Sequence, residues 1–338
     1  MSDRYSRQVL YRNIGPGGQE KLLAASVAVV GMGALGCSSA SLLARAGIGH
    51  LRLIDRDLVE LSNLQRQILY TEADAAENMP KVFAAAEHLA AANSEISIEP
   101  VFSDLNPSNC TELLKDIDLV IDATDNLETR YLINEYCVEN EIPWIYGGAL
   151  GSEGMTANFI PGGPCFSCFT GSSKAQSDPS APTCSTVGVL NSITNIISSI
   201  QAAEAIKILV GSPDVSKNLQ FLEIWENEYM NPALEKDPDC PICAKKEYQY
   251  LGKNTGTSAI SLCGKNAFQV IPSSGRHPDL GTLRKNLEVL GEVKENRFFL
   301  QFKSPEASFK LFPDGRAIIE NVNTPGKAKS VYSEYIGL

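Results

Sequence analysis

The side chains with the clearest chemical potential follow an acidic residue at the end of a short apolar run. Asp55 ends that run, and the segment Leu61–Gln67 begins six residues later and contains Asn63 and Arg66. Lys81 comes next, at the start of a helical pattern. Cations and amide donors can bind the charge that builds on phosphate oxygens during transfer at phosphorus. Each residue alone would also fit a solvated loop or an exposed lysine. Their position after Asp55 favours a site that cleaves a nucleoside triphosphate.

A glycine-rich loop precedes Asp55 and predicts nucleotide binding. Its sequence is Gly31-Met32-Gly33-Ala34-Leu35-Gly36. A β-rich run comes before the loop and a helical pattern after it, and Asp55 lies nineteen residues beyond the last glycine. This is the context that such a motif requires. Backbone N–H groups at the start of the helix can face phosphates, while the acid can reach a ribose hydroxyl. The motif leaves the identity of the nucleotide open.

The elements that must position these residues alternate between strand and helix patterns. This alternation predicts an α/β fold with a doubly wound, mainly parallel, Rossmann-like sheet. Gly31, Asp55 and Asp125 each follow a strand, so we expect them to meet at the carboxyl edge of the sheet, where such folds bind ligands. The strand patterns cover residues 26–30, 51–55, 96–101, 118–121 and 143–146.

A carboxylate at this edge predicts a magnesium ligand. Asp125 is the candidate, because a carboxylate beside phosphates suits a hard cation that keeps several waters. The alternative role for Asp122 or Asp125 is to cap the helix that follows, and Asp122 fits that role better.

Two Cys-x-x-Cys pairs predict a metal site. They are Cys165 with Cys168 and Cys240 with Cys243, separated by 71 residues. Four thiolates in this arrangement suit a tetrahedral structural Zn²⁺, which would clamp the chain and take no part in catalysis. A redox role for either pair is the alternative.

Cys184 is harder to interpret from its surroundings. It lies in a segment rich in Pro, Gly, Ser and Cys, just before a helix pattern whose N-terminal dipole could lower the pKa of the thiol. A buried, unreactive cysteine is the alternative. Residues 161–186, which include the stretch Gly171–Pro182, are interpreted as either a long functional loop or a crossover, and Cys263 is interpreted as a core or incidental cysteine.

The net charge and the distribution of apolar residues predict the kind of partner and the cellular location of the protein. The net charge of −11 argues against a nucleic acid as main partner. The N-terminal residues contain no continuous apolar core, and polar residues interrupt the apolar helix pattern of Val189–Leu209, so we expect no membrane span and a cytoplasmic protein. The amino-acid composition changes near Tyr250, which indicates a domain boundary.

We therefore expect a domain at 1–250 that carries the nucleotide site and the cysteine pairs, and a small α+β domain of unknown role at 251–338.

Together these motifs resemble the ThiF/MoeB/HesA family, the bacterial relatives of ubiquitin-activating enzymes, and most closely its longer thiamine-pathway members. The resemblance covers roughly residues 1–250, and its elements occur in the order found in the family. Residues 251–338 are the departure, because short members end soon after the second cysteine pair. The matching elements are Arg4–Gln8, Gly31–Gly36, Asp55–Asp57, Leu61–Gln67, Pro80-Lys81, Ala123–Asn126 and both cysteine pairs.

The resemblance implies an adenylyltransferase that uses ATP and Mg²⁺. Its substrate would be the C-terminal Gly-Gly carboxylate of a small ubiquitin-fold sulfur-carrier protein, with a sulfur donor such as a cysteine desulfurase acting afterwards. Arg7 would reach the phosphates from the other subunit of a homodimer, and Cys184 would link covalently to the activated carrier. The implied nucleotide contacts are Gly31, Gly33, Ala34, Gly36, Asp55, Asn63, Arg66, Lys81, Asp125 and Asn126.

Other functions remain open at this point. The carrier could belong to thiazole or molybdopterin synthesis or to tRNA thiolation, and the adenylated substrate could instead be a peptide or a modified RNA base. An NAD-dependent oxidoreductase and a non-catalytic scaffold are alternatives of other classes. Arg66, Lys81 and the cysteine pairs argue against the oxidoreductase, and the complete set of Arg7, Arg66, Lys81 and Asp125 argues against the scaffold.

Overall fold

The chain divides into two compact units, Met1–Lys253 and Asn254–Leu338. The computed structural model describes residues 3–171, 184–252, 258–261, 266–272 and 278–337. The strands of the first unit are β1 (Ser26–Val30), β2 (His50–Asp55), β3 (Ser97–Phe102), β4 (Leu119–Asp122), β5 (Trp144–Leu150), β6 (Glu153–Phe159), β7 (Gln220–Glu223) and β8 (Glu228–Met230). Its helices are α1 (Ser6–Val9), α2 (Gly15–Ala24), α3 (Ala34–Ala46), α4 (Glu72–Ala76), α5 (Lys81–Ala92), α6 (Cys110–Leu113), α7 (Leu127–Glu139), α8 (Phe166–Thr170), α9 (Cys184–Val187) and α10 (Asn191–Val210).

These strands form one mixed sheet in the order β3-β2-β1-β4-β5-β6-β7-β8. The pairs from β3 to β5 are parallel, and those from β5 to β8 are antiparallel. The mainly parallel, Rossmann-like sheet predicted from the alternation of patterns is therefore confirmed. Chain order reverses at β1, whose neighbours are β2 and β4, so the switch point of the sheet lies beyond β1.

Local sequence explains where the helices beside this switch point begin and end. α3 ends at Gly47, whose φ of 82° is a left-handed conformation that glycine adopts without strain. α5 follows Pro80 directly, and proline is well suited to a helix start. α7 is capped by Asn126, whose side chain accepts from the N–H groups of Glu128 and Thr129. The prediction that Asp122 caps this helix was wrong, because Asp122 still belongs to β4.

The apolar helix α10 packs inside the first unit. By length and composition it could span a membrane, with a mean hydropathy of 1.3. It contacts α3, β5 and β6, and it buries the polar side chains of Gln201 and Glu204. Gln201 donates to the carbonyl oxygen of Asp122 at 2.9 Å, which ties the helix to the end of β4. The interrupted apolar pattern of Val189–Leu209 thus forms a helix that packs against the sheet and α3.

An aromatic cluster beneath α7 and α8 anchors the end of the first unit. Phe166 lies between Trp144 and Tyr131, at ring centroid distances of 5.8 and 5.3 Å. Tyr250 stacks on Tyr131 at 5.6 Å. The buried carboxylate of Glu135 accepts three backbone N–H groups at 2.7 Å, those of residues 249–251. The chain is thus fastened to α7 just before the first unit ends.

The second unit is a small α+β fold. Its strands are β9 (Ser258–Ser261), β10 (Ala267–Ile271), β11 (Glu292–Glu295), β12 (Leu300–Lys303), β13 (Ser308–Leu311) and β14 (Ala317–Glu320), and its helices are α11 (Leu280–Glu288) and α12 (Pro325–Tyr335). The strands pair antiparallel in the order β11-β12-β13-β14-β10-β9. Leu287 of α11 and Val331 of α12 join Phe302, Phe309 and Ile319 in its core. Cys263 lies outside the described residues.

Candidate functional site

The glycine loop leaves no room for side chains at two of its positions. Gly31 has a φ of 90°, and a Cβ there would lie 2.7 Å from the carbonyl oxygen of Ala123. A Cβ on Gly36 would lie 1.9 Å from the carbonyl oxygen of Gly31. At Gly33 the nearest atom would be Nε2 of Gln67, at 3.9 Å. The first and third glycines therefore close the turn and seat α3, while the second leaves its backbone open to a phosphate. Ala34 is the first residue of α3.

Asp55 is held by backbone groups of the glycine loop and of the segment that follows β2. Its carboxylate accepts from the N–H of Met32 and from the N–H of Asp57, both at 2.6 Å. Burial raises the pKa of Asp55, and the nearby charge of Lys81 counteracts this effect. Tyr70 donates to the carbonyl oxygen of Met32 at 2.7 Å. Both backbone groups of Met32 are thus fixed, which makes the loop rigid.

Lys81 is a buried cation on the first turn of α5. Its Nζ lies 2.9 Å from Oδ2 of Asp57, and its backbone N–H donates to the carbonyl oxygen of the same residue at 2.9 Å. Only 7% of the Lys81 side chain is exposed, against 45% for Asp57. Burial lowers the pKa of Lys81, but the carboxylates of Asp57 and Asp55 outweigh it and the pKa is raised. The site therefore holds a permanent positive charge beside Asp55.

The segment between Asp57 and Lys81 carries the two other predicted phosphate ligands. Asn63 lies in a short 3-10 helix, where its side-chain oxygen accepts from the N–H of Glu60 at 3.2 Å. Arg66 is half-buried, and its guanidinium donates to the carbonyl oxygen of Ser62 at 3.0 Å. Gln67, which is buried, brings this segment next to the glycine loop. Arg7 is an exposed residue of α1, and its predicted role in a partner subunit stays a prediction.

Asp125 lies on the loop that follows β4, and its side chain is exposed. Asp122 is fully buried beside it and pairs with Arg130, whose Nε lies 3.1 Å from Oδ2. Burial raises the pKa of Asp122, against the opposing charge of Arg130. Burial lowers the pKa of Arg130, but Asp122 outweighs it, and Asp125 contributes to the net rise. Asp125 therefore lies within electrostatic reach of Arg130. Asn126 uses its side-chain oxygen as the cap of α7.

The four cysteines of the two Cys-x-x-Cys pairs meet in one cluster. The sulfur of Cys165 lies 3.9 Å from that of Cys168 and 3.6 Å from that of Cys240, and Cys168 lies 3.5 Å from Cys243. All four sulfurs lie within 4.8 Å of one another. A tetrahedron of Zn–S bonds about 2.3 Å long places its sulfurs about 3.8 Å apart. The cluster could therefore hold zinc.

Cys184 is the first residue of α9, a separate four-residue helix that ends before α10 begins. This differs from the expectation that Cys184 lies in an irregular segment just before a helix. The side chain of Cys184 lies outside the described residues, as do the residues 172–182 of the predicted crossover loop.

Three residues of this site were missed by the sequence analysis. Asp57 pairs with Lys81, Tyr70 fixes the glycine loop, and Arg130 pairs with Asp122. Only Asp57 carried a signal, as a second acid two residues beyond Asp55. Cys37, next to the loop, is fully buried, and burial raises its pKa to about 12, so its thiol is protonated and unreactive.

The sheet, the glycine loop and the charges at the strand ends define a Rossmann-like nucleotide-binding protein. The chain belongs to the ThiF family, which it matches over residues 5–242. The resemblance found in the sequence is therefore confirmed.

Two relatives and one solved structure indicate what this chain is similar to. It is 38% identical over 341 residues to the sulfur carrier protein ThiS adenylyltransferase of Bacillus subtilis, with both chains fully covered. It is 36% identical over 244 residues to the SAMP-activating enzyme E1 of Haloferax volcanii, covering 72% of this chain and 89% of that protein. A crystal structure of E. coli MccB with ATP matches with a TM-score of 0.63 and 25% identity, over 72% of this chain and 74% of that one.

Proposed function

We propose that this protein uses ATP to adenylylate the C-terminal carboxylate of a ubiquitin-fold sulfur-carrier protein. The observation that carries the proposal is the meeting of the glycine loop, Asp55 and Lys81 at the sheet's switch point, in a chain of the ThiF family. The full-length similarity to an enzyme that acts on ThiS favours the thiazole branch of thiamine synthesis. The same chemistry on a molybdopterin-synthase carrier, or on another small protein or peptide, is the alternative.

The reaction forms one bond to phosphorus and breaks another. A carboxylate oxygen of the carrier bonds to the α-phosphorus of ATP, the bond from that phosphorus to the bridging oxygen breaks, and pyrophosphate leaves. The products are a carrier acyl-adenylate and pyrophosphate, so no protein nucleophile is needed for this step. The protein contributes position and charge compensation.

The residues at the strand ends supply that position and charge. Asp55 holds the ribose, and the glycine loop and the start of α3 face the phosphates. Asn63, Arg66 and Lys81 bind the phosphate oxygens, with Lys81 already buried and charged in the free protein. Because Asp57 is about half exposed, the lysine can turn towards a phosphate while water solvates the carboxylate it leaves.

The further ligands follow from the donor types. Asp125 is an exposed carboxylate beside the predicted phosphate site, and it would hold the Mg²⁺ that accompanies ATP and neutralises phosphate charge. Four clustered thiolates would hold a structural Zn²⁺. In this proposal neither Mg²⁺ nor Zn²⁺ changes its oxidation state.

The location, the subunit arrangement and the partners of the protein are part of the same proposal. The protein is a soluble, cytoplasmic homodimer in which Arg7 contacts the phosphates bound by the other subunit, and it has no nucleic acid or membrane partner. Cys184 links to the activated carrier, and a cysteine desulfurase supplies the sulfur. Residues 254–338 form a separate domain that is not needed for the adenylylation step.

The test is ATP–pyrophosphate exchange with purified protein and candidate sulfur carriers, each with and without its terminal glycine. Exchange that requires an intact ThiS-type carrier would support the proposal, and exchange with another carrier alone would correct the pathway. Asp125→Asn should abolish most of the exchange. The matched control Asp214→Asn, at an exposed aspartate beyond α10, should leave it unchanged. The absence of exchange with every carrier would overturn the proposal.

A further inference from the structure

Arg130 joins three separate segments at the carboxyl edge of the sheet. It lies in the first turns of α7, and its Nε lies 3.1 Å from Oδ2 of Asp122 at the end of β4. Its Nη2 donates to the carbonyl oxygen of Thr124 at 2.5 Å and to that of Gly147 at 3.1 Å. Its guanidinium carbon lies 4.9 Å from the ring centroid of Tyr146. One side chain thus connects β4, the loop after it, and β5.

The residue that this arrangement fixes most firmly is Thr124. Oδ1 of Asp122 accepts from its N–H at 3.0 Å and from its hydroxyl at 2.7 Å, while Arg130 binds its carbonyl oxygen. That carbonyl belongs to the peptide unit that leads into Asp125. Because a peptide unit is planar, holding its oxygen also sets the direction in which the backbone of Asp125 leaves it.

We propose that Arg130 is a positioning residue for the adenylylation, acting through the Thr124 carbonyl to fix the direction of Asp125. This inference rests on the proposed function, since it takes Asp125 as the carboxylate beside the phosphates. Arginine suits the task because its planar fork can bind a carboxylate and two carbonyl oxygens at once. A lysine would keep the charge but has a single donor group, so it cannot hold all three partners in this geometry.

Arg52, which lies on β2, provides a matched control. The Nε of Arg52 lies 2.8 Å from Oε2 of Glu99, and its Nη1 donates to the carbonyl oxygens of Leu113 and Lys115 at 3.0 and 2.9 Å. Its side chain is 16% exposed, against 15% for Arg130. Each arginine therefore binds one carboxylate and two carbonyl oxygens. The two carbonyls bound by Arg52 lie ahead of β4, whereas those bound by Arg130 belong to Thr124, just beyond β4, and to Gly147 within β5.

The experiment compares Arg130→Lys with Arg52→Lys in the full-length protein. Thermal unfolding is measured first, followed by ATP–pyrophosphate exchange over a range of ATP and Mg²⁺ concentrations. We expect similar losses of thermal stability in the two variants. Arg130→Lys should lower kcat on the order of 10–100-fold, the loss that a misplacement of about 1 Å can cause. It should also raise the Mg²⁺ concentration for half-maximal rate and leave the KM for ATP close to that of the wild type. Arg52→Lys should leave all three values unchanged.

A double variant tests whether Arg130 acts through Asp125. If it does, Arg130→Lys should add little to the loss already caused by Asp125→Asn, because the carboxylate it positions is gone. Losses that multiply would overturn the inference, as would an Arg130→Lys variant no more impaired than Arg52→Lys. An Asp125→Asn variant with full activity would instead overturn the proposed role of Asp125 itself.

Asp122→Asn is the second variant, for the case in which Arg130→Lys does not fold. It keeps one oxygen acceptor for Thr124 or Arg130 but loses the ion pair. We expect the same shift in Mg²⁺ dependence to a smaller extent, and an unchanged Mg²⁺ dependence would overturn the inference.

Discussion

Lys81 shows how a single side chain can be prepared for a ligand that is not yet bound. It is buried, its pKa is raised, and its Nζ contacts the carboxylate of Asp57. A buried cation is expensive unless it is paired, and Asp57 supplies that partner in the free protein. Under the proposed function, a phosphate oxygen would replace it. The charge is thus present before ATP arrives, and little reorganisation is needed when it binds.

Replacing this lysine should therefore affect catalysis more than folding. We expect Lys81→Met, which keeps the apolar stem, to lower the rate of ATP–pyrophosphate exchange on the order of 100–1,000-fold, since it removes a preorganised charge. Asp57 is half exposed and can be solvated, whereas buried Asp55 loses the charge that opposes the rise of its pKa, so we expect a moderate loss of thermal stability. Lys21→Met, at an exposed lysine that binds the carbonyl oxygen of Val210, is the control and should exchange normally. A Lys81→Met variant with the wild-type rate would exclude Lys81 from the phosphate site.

Among the structural elements, α8 and the segment of residues 240–245 depend most on the cysteine cluster. Cys165 directly precedes α8 and Cys168 lies within it, while Cys240 and Cys243 belong to a turn without regular secondary structure. Beyond the cluster, the same turn leads to the residues that Glu135 fastens to α7. A metal bound by the four cysteines would connect α8 to the turn at residues 240–245, which lies more than 70 residues later in the sequence.

Removal of one ligand should release the metal and loosen this region. We expect Cys168→Ser to reduce bound zinc from one equivalent per chain to almost none, and to lower the free energy of unfolding by about 4 kcal/mol or more. Metal analysis and thermal unfolding measure the two effects. Cys110→Ser changes a buried cysteine of α6 instead and should keep the zinc while losing some stability. Full zinc content in Cys168→Ser would show that the cluster is not the binding site.

The elements were more predictable from the sequence than the contacts between them. β1 lies at the predicted residues, and α3 is the helix predicted next to the glycine loop, because an apolar run, a glycine loop and a helix-period pattern leave few alternatives. The cap of α7 was misassigned, because Asp122, Asp125 and Asn126 are all residue types that can cap a helix and lie within five positions. The strand end at residue 122 decides among them, and only the pairing of β4 with its neighbours sets that end.

Residues of the candidate site could be predicted from the sequence only where they belong to a short, recognisable motif. The glycine loop and the cysteine pairs are local motifs, so their residues were found. Arg130 was not, because the partners that give it a role lie in β4, in the following loop and in β5. No spacing in the sequence connects an arginine in a helix to a carbonyl oxygen seventeen positions away.

For the molecule as a whole, the division after Lys253 separates the candidate site from a second, all-antiparallel sheet. Every residue of the candidate site lies in the first unit. Glu135 binds the backbone of residues 249–251, so these last residues before the division belong to the first unit.

A chain that ends at Lys253 should therefore fold and carry out the first reaction. We expect it to be soluble, to bind zinc and to catalyse carrier-dependent ATP–pyrophosphate exchange at a rate similar to that of the full-length protein. A chain that ends at Glu247 is the matched control and should be less stable, because it leaves the buried carboxylate of Glu135 without its three donors. Loss of exchange in a folded 1–253 protein would show that residues 254–338 take part in carrier recognition or adenylylation.

The contact that excludes a side chain at Gly36 also limits how the protein can recover from mutation. The obstructing atom is the main-chain carbonyl oxygen of Gly31, which every amino acid would place there. A genetic selection for suppressors of Gly36→Ala should therefore yield reversions to glycine and no compensating change at residue 31. Gly154→Ala would behave differently, since its obstructing atoms belong to the side chains of Ile197 and Ile193, which smaller residues could replace. Sequencing of the recovered clones would distinguish a constraint of the backbone from one of packing.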